Sequence, residues 1–280
     1  MTRFEPVNES HSIVSASLVL KFSPPLPDEA WPEMREAMLR LREKHDLPRP
    51  LPVFGLSLSF DGKQFQADLN SPPPTANMSS GLAIYNFTDD DDIVEQISMT
   101  RDALNFRTFR YIRWNPFIER AMALLNELLP LMTSKSEYAS TQLEYVDRFE
   151  CRCGDDVLPA KEILRDNSPY IPPLSQSADD LWHSYCGRFE RLDERTRRLI
   201  NVRLDYNEDG AEASKTRVLN IVTMLMDTIN QDGFEPTDRR SINMEFIQKA
   251  ANSQHVTLKD ILRSIISQEA VERIGLTGGA

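Results

Sequence analysis

Apolar and polar residues alternate one by one along several stretches of the chain. Val14, Ala16, Leu18, Leu20 and Phe22 alternate with Ser15, Ser17, Val19 and Lys21, and a period of two predicts a half-buried strand. Phe54, Leu56, Leu58 and Phe60 predict a second strand, Asp61-Gly62 a hairpin turn, and Phe65, Ala67 and Leu69 a third strand. Residues 71–81 read as an exposed loop and Gly81–Phe87 as a fourth strand, with Ile97 and Met99 following an acidic turn at Asp89–Asp92. Further on, Leu143, Tyr145, Asp147, Phe149 and Cys151 share one strand face. Leu181–Leu192 and Arg198–Tyr206 predict a hairpin, with Ile200, Val202, Leu204 and Tyr206 facing one way, and Arg217–Asp227 a last strand.

Other segments follow the helical period. Asp28 reads as an N-cap for a helix with Trp31, Met34, Met38 and Leu41 on one face, and Pro48, Pro50 and Pro52 as a stiff connector after it. Phe117, Ala121, Leu124, Leu125, Leu128 and Leu131 form the apolar stripe of a second helix, with Asn115 as cap and Pro116 at its first position. Met244, Phe246, Ile247, Ala250 and Ala251 mark a third. Thr257 with Asp260 reads as an approximate capping box opening a separate final helix striped by Leu258, Ile261, Leu262, Ile265 and Ile266.

The order strand, helix, strands, helix occurs twice. It predicts an α+β fold of two similar halves, residues 12–133 and 140–276, each an antiparallel sheet with helices packed on one face, with flexible ends at 1–11 and 277–280. The competing reading is one α+β domain whose halves merely look alike.

Composition narrows the function classes. The 280 residues include 32 basic and 43 acidic ones, a net charge of -11, which repels a phosphate backbone at long range and disfavours nonspecific nucleic-acid binding. Three cysteines make no disulfide framework, and no leader or membrane-spanning run is legible, so a cytoplasmic protein is expected. Walker, Gly-x-Gly-x-x-Gly, Gly-x-Ser-x-Gly and His-Glu-x-x-His motifs are missing, and ten glycines leave few positions for a phosphate-cradling loop. No cofactor is expected.

Four groups of residues carry candidate chemistry. Arg107, Arg110, Arg113 and Trp114, among Phe109 and Tyr111, form a basic–aromatic cluster, and Arg195, Arg197, Arg198 and Arg203 a second patch. Such sets suit a protein partner or stacked bases, or they are a solvated strand face with the aromatics as core. Cys151, Cys153, His183 and Cys186 have the composition of a zinc set. Against zinc, the Cys-x2-Cys spacing is absent, and three positions along a strand put His183 and Cys186 on opposite faces. Asp147 sits on an apolar strand face, where it is either a polar anchor or an acid–base group. Asp89–Asp92 reads as a solvated turn rather than a cation site. His11 falls in the expected tail, and His45 and His255 near helix ends.

Residues 98–117, with Tyr111, Trp114 and Phe117 leading into a helix, resemble a sporadically distributed family of uncharacterised bacterial proteins. The resemblance continues through Leu143–Phe149 and ends at Leu258–Gly275, so it covers nearly the whole chain. It carries no catalytic residues over. It implies an accessory bacterial protein of the kind found near mobile or defence genes. The chain departs from that family at Asp147, where Asn is usual, and at Glu144, where a basic residue is usual. The residues predict a non-enzymatic binding or regulatory protein; that it is a toxin-neutralising or anti-phage defence partner is what the resemblance alone implies. The alternatives are an enzyme or small-ligand protein using Asp147 or the Cys/His set, and a nucleic-acid-binding module.

Overall fold

Glu137–Cys151 (β7) is fifteen residues long, and the sheet is built around it. Its side chains alternate strictly from Gln142 onward, with Leu143, Tyr145, Asp147, Phe149 and Cys151 buried and Gln142, Glu144, Val146, Arg148 and Glu150 part-exposed. That is the period of a strand with one face in the core. The computed structural model describes residues 4–8, 11–45, 47, 49–54, 79–90, 92–151, 160–178, 180–209, 216–229 and 242–276.

The other strands are Phe4–Pro6 (β1), Ile13–Ser23 (β2), Arg49–Phe54 (β3), Ser79–Phe87 (β4), Ile93–Thr100 (β5), Ala103–Thr108 (β6), Trp182–Arg191 (β8), Thr196–Asp209 (β9) and Thr216–Ile229 (β10). The helices are Trp31–Lys44 (α1), Trp114–Lys135 (α2), the single turn Pro173–Gln176 (α3), Met244–Ile265 (α4) and Gln268–Arg273 (α5). The strands form one sheet in the order β3-β4-β5-β6-β2-β7-β10-β9-β8, with β1 also beside β7. Every pairing is antiparallel.

This corrects the expectation of two halves, each with its own helix-covered sheet. β2 and β7 pair from Ile13↔Asp147 to Ser23↔Glu137, so the strand sets they open are one sheet. One apolar core runs from Phe4 to Ile274. The repeated order of elements says which segments are strands; it does not say which free edges meet, and here the first strands of the two segments satisfy each other's backbone groups. Pro50 and Pro52, expected in a connector, belong to the edge strand β3, where a missing N–H is tolerated. The expected flexible end at 1–11 is corrected in part, since β1 pairs with β7 from Phe4↔Cys151 to Pro6↔Phe149. The strands expected between residues 54 and 69 and the loop at 71–81 fall largely outside the described residues.

Helix boundaries also shift. α2 starts at Trp114 on an extended Arg113, with no side-chain cap, rather than at Pro116 behind Asn115. α1 starts at Trp31 after Ala30, and Asp28 instead accepts a hydrogen bond from Arg101. The expected break before Thr257 does not exist, because α4 runs unbroken from Met244 to Ile265. The Thr257 hydroxyl donates to the Ser253 carbonyl one turn back, as a Thr inside a helix does. Asn243 is the true cap and accepts from the Phe246 amide at 3.0 Å.

Candidate functional site

The Tyr111 corner, between β6 and α2, lies over the buried side of β7 and against α4. Tyr111 and Tyr145 have ring centroids 5.6 Å apart. The Tyr145 hydroxyl is 2.9 Å from Nδ1 of His255 on α4. The His255 ring lies flat on Trp114, with centroids 4.3 Å apart and planes 3° apart, while Nε1 of Trp114 donates to Oδ1 of Asn252 at 2.8 Å. Two positions along β7, Asp147 accepts a hydrogen bond from the Ser12 hydroxyl at 2.6 Å.

Burial sets the proton affinities here. Loss of solvent raises Asp147 to about 7, against the opposing effect of the Ser12 hydrogen bond. Burial also raises Tyr111 to about 12 and pushes Tyr145 well above its ordinary value. Burial, helped by the charge of Lys259 one helical turn away, lowers His255 to about 4. The cluster is therefore neutral at pH 7 apart from a partly ionised Asp147. An NMR titration of the imidazole carbons should place the His255 midpoint near 4; a midpoint at the ordinary value near 6.5 would contradict the packing described.

Chemically, this arrangement is a brace. Asp147 is 1% exposed and Tyr145 3% exposed, which leaves no room for a substrate beside either. What the brace does is fix the corner, and the corner forms one wall of a cavity of about 700 Å³. That cavity is lined by Val7, Asn8, His11, Ile13, Val14, Phe109, Arg110, Tyr111 and Ile112.

A second buried polar set ties α4 to the sheet. The Arg198 guanidinium donates from Nε and Nη2 to the two oxygens of Asp227 at 2.7 and 2.8 Å. It also donates to the Thr257 and Ser253 hydroxyls at 3.0 and 3.2 Å. Arg198 is 4% exposed, so it leaves the surface patch in which it was expected. It has the same parity on β9 as the buried Ile200, Val202 and Leu204, and that alternation was the signal.

The other expected site residues are dispersed. Arg107 lies on the uncovered face of the sheet, donates to the Ser15 hydroxyl at 2.9 Å and stacks over Phe109 at 4.9 Å. Arg110 and Arg113 are exposed at the corner, where Arg113 donates to the Ile112 carbonyl at 3.0 Å. Trp114 is half-buried, with one face of its ring against His255. Arg197 and Arg203 stay on the uncovered face of β9, Arg197 over the Phe189 ring at 5.2 Å and Arg203 paired with Asp205 at 2.8 Å.

The zinc set is not assembled. Cys151 is held in a disulfide and so offers no thiolate. Cys186 is a free thiol. The pairings Cys186↔Val202, Val202↔Thr223 and Thr223↔Tyr145 place it level with Tyr145, three strands from β7. That is roughly 14 Å across the sheet and roughly 20 Å along it from Cys151. Cys153 lies outside the described residues. Among those residues no group of three or more His, Cys, Asp or Glu could hold a metal ion. At the acidic turn the Thr88 hydroxyl accepts from the amides of Asp90 and Asp92 at 3.2 and 3.1 Å; Asp91 lies outside the described residues.

Two participants escaped the sequence reading. His255 was placed near a helix end and lies inside α4. His11 was placed in a tail and bridges to Asn8 in a small hairpin against Tyr111. Neither carries a local signal, because their partners are far away in the chain. Among the described residues no helix is long and apolar enough to cross a membrane. Comparison with protein-family models, with curated protein sequences and with solved structures gives no match for this chain.

Proposed function

We propose that the protein is a non-enzymatic binding protein that takes an extended, acidic segment of a partner protein along β8. The observation that carries this reading is the state of that edge. The strand order ends at β8, which pairs with β9 over ten residues from Trp182↔Tyr206 to Arg191↔Arg197 with no bulge. An edge of this length and regularity, without Pro, is a template for another strand. The opposite edge, β3, has Pro50 and Pro52 instead.

The side chains fit the same role. Tyr185 and Phe189 point to the uncovered face of the sheet and are 66% and 63% exposed. Their cross-strand partners are Arg203 and Leu199. Among the paired residues, that face presents Arg191, Arg197 and Arg203 beside one carboxylate, Asp205. Aromatic and Arg side chains dominate interface energetics. A local positive strip on a chain of net charge -11 selects an acidic partner over a second copy. On the resemblance to bacterial accessory proteins, that partner would belong to a toxin–antitoxin or anti-phage system.

The test uses a labelled ten-residue peptide of alternating Glu and Val, read by fluorescence anisotropy. It should bind saturably, and the Arg197→Glu/Arg203→Glu variant should bind at least about tenfold more weakly, ~1.4 kcal/mol. N-methylation of alternate peptide nitrogens in one register should abolish binding, because it removes the donors that pair with an edge. Equal binding of a Lys–Val peptide, or indifference to the double substitution, would defeat the proposal.

A further inference from the structure

The cavity at the Tyr111 corner has properties that the edge of β8 does not use. It opens between the N-terminal hairpin, with Val7, Asn8, His11 and Ile13, and the turn Phe109–Ile112. At about 700 Å³ it lies in the size range of small-molecule sites. We infer that it binds a small amphipathic anion, an apolar body carrying one carboxylate or sulfonate.

Three observations select that chemistry. First, the apolar lining reaches the mouth, where Ile112 is 67% exposed and Phe109 37% exposed. Exposed neighbours of this size at the rim of a concavity are a binding feature rather than scattered surface.

Second, among the described residues that line the cavity, Arg110 is the one carrying a full charge. The Arg110 side chain is exposed, and none of the hydrogen bonds or ion pairs among the described residues involves its guanidinium. An unpartnered guanidinium presents the planar donor fork that a carboxylate accepts. One such cation beside an apolar wall fits one anionic group. It does not fit a polyphosphate, which takes several cations or a backbone nest.

Third, the wall is held in place before any ligand arrives. Tyr111 is packed on Tyr145, on Phe117 at 6.0 Å and against the His11 ring at 5.6 Å. Burial and the charge of Arg113 lower the proton affinity of His11, so its ring contributes a neutral polar contact beside Asn8. A preformed wall reduces the ordering cost of binding.

The test uses the full chain and 1-anilinonaphthalene-8-sulfonate as a fluorescent probe. The probe should bind saturably at one site per chain. Sodium decanoate, below its micelle concentration, should displace it at least about tenfold better than decanol does. Arg110→Glu should weaken the probe at least about tenfold, while Arg110→Lys keeps most of the affinity. Arg110 is solvent-exposed, so unchanged thermal unfolding should confirm that both variants fold. Phe189→Ala should leave the probe unaffected, which separates this site from the β8 edge. Equal displacement by decanol, a probe indifferent to Arg110→Glu, or unsaturable binding at many sites would each overturn the inference.

Discussion

Replacing Asp147 with Asn should remove a loss of stability on the order of 4 kcal/mol that the wild-type protein suffers between pH 4 and pH 7. The carboxyl is 1% exposed and accepts from Ser12. Burial holds its proton affinity at about 7 in the folded chain, against about 4 when unfolded. The folded state therefore binds this proton more tightly. The stabilisation is complete below the unfolded value and is lost as pH rises through the folded one. Asn keeps the Oδ1 acceptor for Ser12 and carries no charge at any pH. Urea denaturation of both proteins at pH 4.5, 6 and 8 measures the effect as a difference, in which the other acidic groups cancel. The variant should exceed wild type by only about 1 kcal/mol at pH 4.5 and by most of the full difference at pH 8. A difference that does not change with pH would show that Asp147 is not titrating in a closed site.

Arg198→Ala should cost about 3–5 kcal/mol, because it leaves Asp227 as a buried charge without its counter-ion. Asp227 is 5% exposed and holds both carboxylate oxygens against Arg198. The same guanidinium reaches Ser253 and Thr257, so the substitution also releases α4 from β9 and β10. Since α4 carries His255 and Asn252, Trp114 fluorescence should change with it. The Arg198→Met/Asp227→Leu double variant should recover most of the stability, since replacing a buried pair by apolar groups of similar size is close to neutral. A cost below about 1 kcal/mol for Arg198→Ala would mean that the pair is wet and weakly coupled.

These two sites show where sequence reading reaches and where it stops. Asp147 was legible as an anomaly, a carboxylate among Leu143, Tyr145 and Phe149 on one strand face. That it is a closed anchor shows only in its burial and in its bond to Ser12, 135 positions away. Arg198 was legible in principle, because its parity on β9 matches Ile200 and Val202; the run of neighbouring arginines disguised it as surface. Arg197 and Arg203 have the other parity and stay exposed or part-exposed to solvent. The cysteine set failed for a different reason. The set needs its two segments to lie side by side, while Cys151 and Cys186 stand on strands separated by β10 and β9.

The sequence by itself determined the elements. The two-residue alternation of Val14–Phe22, Leu143–Cys151 and Ile200–Tyr206 and the helical stripe of Phe117–Leu131 are set by backbone geometry within each segment, so they survive without knowledge of any neighbour. The tertiary structure decided which edges pair. Backbone hydrogen bonds are chemically alike in every strand, so no residue of β2 announces that its partner is β7 rather than a strand of its own half. From that one pairing come the single sheet, the lane of β1 beside β7, the place of β8 at the end of the strand order among the described residues, and the corner where Tyr111, Tyr145, His255 and Trp114 meet.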